Sequence, residues 1–284
     1  MSQEKIGVIG AGLMGAEIAF VYALAGHQVL LADRDDGLLD KAMARLGDIL
    51  ERGIPRGFFP EEARANTLPR IAATTDLARY ADRDLVCEAV FENEEVKAGI
   101  LRRLDAVCQP SCIIASNTSS IAISTLASYL GPERRKNFLG THYFSPVSRM
   151  KLVEIIPGFD TAESTIESAT RLARGAGKTP IRVKDVVGFA VNRVLHAFVI
   201  EAIKLVEEGV ATPEDIDQAC RLGLGHPMGP FELMDAVTSS LTLEVQEILH
   251  AAYGERFRPP SLLKQMVKAG RIGRKAGSGW RKSR

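Results

Sequence analysis

The chain has 284 residues, 46% of them hydrophobic and 25% charged, which is enough apolar material for one large core or two smaller ones. Its 36 Lys and Arg against 35 Asp and Glu leave a net charge of +1. That balance excludes an overall field drawing nucleic acid or an anionic membrane, so any anionic ligand must be met by a local patch. The four cysteines, Cys87, Cys108, Cys112 and Cys220, show neither a CxxC pair nor a zinc spacing, so reduced thiols and no metal site are expected. The chain runs from Met1 through a few polar residues into an apolar strand, so no signal or transit peptide is expected. No apolar run reaches the roughly 20 residues needed to cross a bilayer. Val186 to Ile200 comes nearest, and Asn192, Arg193 and His196 interrupt it. The expectation is a soluble, cytoplasmic protein with neither membrane nor nucleic-acid partners.

In chain order, Lys5–Ile9 reads as a strand that runs directly into Gly10-Ala11-Gly12-Leu13-Met14-Gly15, with a helical pattern from about Leu13. G-x-G-x-x-G between a strand and a helix is the setting in which the motif binds a dinucleotide. Gly10 permits the tight turn, Gly12 lets the backbone approach a pyrophosphate, and Gly15 allows close helix packing. Leu13 and Met14 open the helix, whose free N–H groups and positive dipole end face the phosphates. Gln28–Ala32 reads as the second strand, and Asp33 ends it where a ribose 2′-hydroxyl needs an acceptor. The acid predicts NAD over NADP, because a 2′-phosphate would be repelled; the neighbouring Arg34 weighs slightly the other way. Asp84–Val90, Cys112–Ala115 and Phe138–Phe144 follow as strands, with helical patterns between most of them. This alternation predicts an α/β fold, a Rossmann-type, mostly parallel sheet covered by helices on both faces.

After about Lys184 the pattern turns helical: Gly188 to Glu208, Thr212 to Leu222, roughly Pro230 to Tyr253, and Ser261 to Ala269. Thr212-Pro213 is an N-cap followed by proline at the first helical position, and Gly229-Pro230 repeats the proline signal. We expect a nucleotide-binding domain over residues 1–185 and a second, all-helical domain over 186–284.

Oxidation of an alcohol by hydride transfer needs a base for the hydroxyl proton, and histidine titrates in the right range. His142 lies in Phe138–Phe144 and Glu154 in the next apolar run, Lys151–Ile156, with Pro146 between them. If the two runs form an antiparallel hairpin centred on Ser148, facing residues have numbers that sum to 296, which pairs His142 with Glu154. A carboxylate opposite an imidazole fixes its tautomer and stabilises the imidazolium. A His facing a Glu is more often a structural pair, and spacing alone does not make this one catalytic.

Seven segments in order resemble the 3-hydroxyacyl-CoA dehydrogenase family: GVIGAGLMGA at Gly7–Ala16, EAVFENEEVK at Glu88–Lys97, SNTSS at Ser116–Ser120, GTHYFSP at Gly140–Pro146, KLVEIIP at Lys151–Pro157, GFAVNR at Gly188–Arg193 and PMGPFELMD at Pro227–Asp235. The resemblance implies an NAD-dependent dehydrogenase acting on the 3-hydroxyl of a short L-3-hydroxyacyl thioester. It implies His142 as general base with Glu154 as its partner, and Ser119 and Asn192 holding the substrate or His142. It further implies Glu92 and Lys97 at the nicotinamide half of NAD, a helical domain forming a homodimer, and Lys275 in GRKAGSG approaching the cofactor. Read alone, Ser116–Ser120 could be a polar strand-end turn and Asn192 a packed polar residue.

Ser145 stands where many members have Asn, in a position implied to touch substrate or cofactor, and the HYFSP form resembles the branch inside multifunctional β-oxidation proteins. Ala-Val-Thr-Ser-Ser follows Met234-Asp235 where the family usually carries Gly-Leu-Asp, and Trp280 replaces the usual Phe or Tyr. Lys41, Arg45, Arg52 and Arg56 would line one helix face, with Gly53 and Pro55 expected to end that helix. Arg52 and Arg56 are the candidates for the phosphates of coenzyme A. The same stripe suits the acidic surface of an acyl carrier protein, or is simply solvated. A free hydroxy acid as substrate, or a non-catalytic NAD-binding protein, are the remaining alternatives.

Overall fold

The five-residue strands β1 (Lys5–Ile9) and β2 (Gln28–Ala32) each expose their first residue and bury the other four. Continuous apolar burial of this kind is what a parallel strand covered on both faces requires. The structure is a computed structural model in which residues 3–281 are described. β3 (Ile71–Thr74), β4 (Leu85–Glu88), β5 (Ile113–Ser116), β6 (Phe138–Tyr143), β7 (Leu152–Pro157) and β8 (Thr179–Arg182) complete one sheet, ordered β3-β2-β1-β4-β5-β6-β7-β8. The strands from β3 to β6 in that order are parallel neighbours, β7 is antiparallel to β6, and β8 is parallel to β7. The chain reverses its direction of build between β1 and β4, which makes their carboxyl ends a topological switch point, the place where open α/β sheets bind ligands.

The chain divides into two units, Met1–Asp185 and Val186–Arg284. In the first, helix α1 (Leu13–Leu24) is apolar nearly all round and buried from Gly15 to Ala23, as a helix sandwiched in a core must be. Helix α2 (Asp36–Gly53) is amphipathic and buries Leu39, Ala42, Leu46 and Leu50. Asp35 caps it by accepting from Leu38 N at 3.0 Å. It ends at Gly53 as expected, and a 3₁₀ turn, Ile54–Arg56, follows. Helix Glu94–Val107 is capped by Asn93, which accepts from Val96 N at 3.0 Å.

The second unit contains helices Val191–Glu207, Pro213–Gly223, Pro230–Val237, Ser239–Tyr253 and Ser261–Lys268. Its core packs Val199, Ile203, Phe231, Met234, Leu263 and Trp280. Buried Asp217 accepts from Phe231 N at 2.9 Å and Glu232 N at 3.0 Å, satisfying first-turn donors of helix Pro230–Val237. Asp235 does the same for the chain end, accepting from Trp280 N at 2.9 Å. No helix of the described residues is long and apolar enough to cross a membrane.

One expected element is corrected. The single helix expected from Pro230 to Tyr253 is two helices, broken at Thr238, whose φ is +124°. The Thr238 side chain accepts from Leu241 N at 3.3 Å and so caps the second helix. A threonine with its own capping bond starts a new helix where hydropathy alone runs through. Two short strands, β3 and β8, were not expected from the apolar pattern. β1 and β2 keep their expected bounds, and β4 to β7 begin or end one or two residues from theirs.

Candidate active site

The polar groups singled out in the first unit gather where the parallel strands end. Gly10 follows β1 with φ +98°, and a Cβ there would lie 2.5 Å from the Ala89 carbonyl oxygen. A Cβ on Gly15 would lie 1.9 Å from Gly10 O, whereas one on Gly12 would meet nothing within 4 Å. Gly10 and Gly15 are therefore needed for the turn and the helix contact, and Gly12 leaves open space over the loop. Gly12 is also the N-cap of α1 and offers no side chain to the first-turn N–H groups, so an anion is their natural acceptor. Leu13 is 52% exposed and Met14 half-buried on this rim. Asp33 accepts from Ala11 N at 2.6 Å and Arg34 N at 2.7 Å, which presents its carboxylate at the lip of the loop. These residues fit a dinucleotide.

Arg45 departs from the expected stripe on α2. Its guanidinium turns inward and donates to Gly12 O at 2.8 Å and Ala11 O at 3.3 Å. It neutralises carbonyl dipoles of the loop and adds positive charge beside the phosphate position. Arg52 and Arg56 are exposed at the end of α2 and in the turn after it, with Arg52 3.9 Å from Asp48.

The β6–β7 register pairs His142 with Glu154. His142 Nδ1 lies 2.8 Å from Glu154 Oε2, and Glu154 is fully buried. A carboxylate has no proton to give at neutral pH, so Nδ1 donates and Nε2 carries the lone pair. Nε2 faces Ser119 Oγ at 3.1 Å. Ser119 is positioned in turn by Glu92, one oxygen of which accepts from Thr118 Oγ1 (2.6 Å), Ser119 N (2.8 Å), Ser120 N (2.9 Å) and Ser120 Oγ (2.9 Å). The other oxygen of Glu92 meets Lys97 Nζ at 3.3 Å. Burial raises the Glu92 carboxyl, but the Lys97 ammonium and these donors outweigh it and hold the group below the usual carboxylate range.

Lys97 is 1% exposed and directs its ammonium to Glu88 Oε1 at 2.8 Å, to Val90 O at 3.4 Å and to Glu92. Glu88, at the end of β4 and fully buried, also accepts from Ser116 Oγ at 2.6 Å and Val90 N at 2.8 Å. Asn117 Oδ1 accepts from Tyr143 N at 2.9 Å, tying the end of β5 to β6 next to His142. Glu88, Ser116, Thr118 and Asn117 were missed as site residues. A usable signal existed: Lys97, Leu101 and Leu104 share one buried stripe, and a lysine on such a stripe demands a buried acid, which Glu88 supplies.

Ser145 is exposed at the start of the loop joining β6 to β7, and the Ser145–Pro146 peptide is cis. In the helical unit, Asn192 is half-buried in the first turn of helix Val191–Glu207. Lys275 falls in the turn Arg274–Ala276, but its side chain lies outside the described residues. All four cysteines are free and buried.

The model for the 3-hydroxyacyl-CoA dehydrogenase NAD-binding domain matches residues 5–186, and that for the C-terminal domain of the same family matches residues 188–283. The chain belongs to the 3-hydroxyacyl-CoA dehydrogenase family. It is 42% identical to a probable 3-hydroxybutyryl-CoA dehydrogenase of Deinococcus radiodurans, over 98% of this chain and 99% of that one. It is 40% identical to the mitochondrial hydroxyacyl-coenzyme A dehydrogenase of Homo sapiens, over 98% of this chain and 91% of the human one. Among solved structures, the (S)-3-hydroxybutyryl-CoA dehydrogenase of Ralstonia eutropha superposes with a TM-score of 0.93 at 38% identity, covering 100% of both chains. In family terms, the unit built on β1–β8 is the NAD-binding unit, and the chain is an oxidoreductase using NAD.

Proposed function

We propose that the chain interconverts a short-chain L-3-hydroxyacyl-CoA and its 3-ketoacyl-CoA, with His142 as general base and Glu154 as its fixed partner. The observation that carries this reading is the line from Glu154 through His142 to Ser119, with contacts of 2.8 and 3.1 Å at the carboxyl ends of β5 and β6. When bound along Gly10–Gly15 and Asp33, NAD supplies the hydride acceptor. His142 Nε2 takes the proton of the 3-hydroxyl, and the imidazolium is stabilised by the buried Glu154 carboxylate across a 2.8 Å hydrogen bond. Ser119 holds the substrate oxygen against Nε2, and Glu92 with Lys97 holds Ser119. Lys97 therefore acts at the nicotinamide half through Glu92, since its ammonium is shared among protein oxygens.

Asn192 and Ser145 are assigned to the substrate, Arg52 and Arg56 to the phosphates of coenzyme A, and Lys275 to the cofactor. A homodimer through the helical unit is supported by exposed Val194, Leu222 and Leu224, at 71%, 80% and 63% exposure. A cytoplasmic location agrees with four reduced thiols.

The test follows NADH absorbance with acetoacetyl-CoA, for the wild-type chain and His142→Ala, with NADPH in parallel. Turnover with NADH that is lost in the variant and absent with NADPH supports base and cofactor together. Turnover only with an acyl carrier protein thioester or a free hydroxy acid would reassign the substrate, and NADH binding without turnover on any of them would mark a non-catalytic protein.

A further inference from the structure

α1 is a buried apolar helix with one carboxylate in it. Glu17 is 3% exposed, among Ala16, Ile18, Ala19 and Phe20, and stands two residues past the last glycine of the phosphate loop. An acid so close to a pyrophosphate position is repelled by the ligand and costly to bury unless something takes up its charge. Ser148, at the middle of the loop between β6 and β7, donates to Glu17 Oε2 from both N and Oγ at 2.8 Å. The same loop is gripped on either side of Ser148 by Lys178, 8% exposed, which donates to Val147 O and, at 2.9 Å, to Met150 O. Burial lowers the Lys178 ammonium to about 8, and the Glu17 charge opposes that shift. A second tie joins α1 to the same hairpin, Tyr22 OH to Tyr143 OH at 2.9 Å, both buried. Tyr143 is the residue after His142.

We propose that Glu17 is a positioning residue: through Ser148 it fixes the loop between the His142 and Glu154 strands to the helix that carries the cofactor phosphates. The imidazole and the dinucleotide are thereby held in one frame, with Lys178 closing the loop from the other side. This rests on His142 being the base. Glu17 touches neither substrate nor cofactor, so its loss changes how accurately the base is aimed at the hydroxyl and leaves binding in place.

The experiment compares wild type, Glu17→Ala, Glu17→Gln, Ser148→Ala and the Glu17→Ala/Ser148→Ala pair in the full chain. Amide hydrogen exchange over residues 144–150, NADH affinity by fluorescence, and steady-state kinetics with acetoacetyl-CoA are measured on each. Glu17→Ala is expected to speed exchange in that loop and lower kcat by about tenfold or more, while NADH affinity and KM stay within about threefold. Glu17→Gln, whose amide oxygen accepts the same two bonds, is expected to recover most of kcat. Ser148→Ala keeps its N–H donor and should lose less, and the double variant should be no worse than Glu17→Ala alone. Wild-type kcat and exchange in Glu17→Ala overturn the proposal. So do additive losses in the double variant, or equal losses in Ala and Gln variants accompanied by lost NADH binding, which mark a general structural role. Should Glu17→Ala not fold, the Gln and Ser148 variants decide on the same readouts. An unimpaired His142→Ala would fail the base assignment separately, without touching the exchange result.

Discussion

At the scale of single residues, the site is a relay of positioned charges, and each link predicts a different deficit. Removing the imidazole in His142→Ala should lower kcat by about 100-fold or more at little cost in NADH affinity. Glu154→Gln should lower kcat as well, because a neutral amide neither selects the tautomer as firmly nor balances the imidazolium. Steady-state kinetics beside an NADH titration check both; a Glu154→Gln enzyme with wild-type kcat would reduce the pair to a structural contact. Arg45→Ala predicts the opposite division. Its guanidinium serves the glycine loop at 2.8 and 3.3 Å, so NADH affinity should fall several-fold while kcat at saturation holds. An affinity unchanged by the substitution would put Arg45 back among the solvated side chains of α2.

At the scale of elements, legibility in the sequence follows periodicity. The β6–β7 pairing could be read as arithmetic because an antiparallel hairpin fixes every facing pair once its centre is known, and Leu139↔Pro157 through Tyr143↔Val153 all keep the sum. β3 and β8 escaped notice because edge strands carry little apolar signal: β8 has no buried residue, and β3 exposes its two middle ones. The Glu92 clasp on Thr118–Ser120 and the Glu17–Ser148 bond were hidden because they join residues 26 to 131 positions apart through side chains with no period. The break at Thr238 was hidden for another reason, since apolar residues continue on both sides of it, Met234 and Val237 before and Leu241 and Leu243 after. A φ of +124° strains a β-branched residue. Thr238→Gly should therefore raise stability by about 1 kcal/mol, because glycine relieves the strain and costs only tenths as a cap. Chemical denaturation measures it; a loss of stability would mean that the threonine cap outweighs the strain.

At the scale of the whole molecule, one buried histidine ties stability to pH. His196 is 6% exposed, its Nδ1 has no hydrogen-bond partner among the described residues, and burial lowers it to about 4 from the ordinary histidine value of 6.5. Between those values the unfolded chain holds a proton that the folded chain refuses, so stability is full above about 6.5 and falls as the pH drops toward 4. The full loss is of the order of 3 kcal/mol. His196→Leu should flatten that acid limb in denaturation curves taken across the range; an unchanged limb would place the acid sensitivity in His27, which burial also lowers, or in the carboxylates. The depressed Glu92 carboxyl acts further down, its contribution present above the ordinary glutamate range and lost as pH falls through its lower folded value.

The chain has a single tryptophan, and Trp280 is packed at 5.1 Å against Phe231, with its indole N–H donated to Ser239 Oγ at 2.9 Å. Its emission therefore reports on the helical unit alone, while circular dichroism averages over every helix and strand. Superimposable melting curves from the two signals would mean that both units lose structure as one cooperative body. A tryptophan transition at lower temperature would mean that the helical unit frays first and leaves the nucleotide-binding sheet standing.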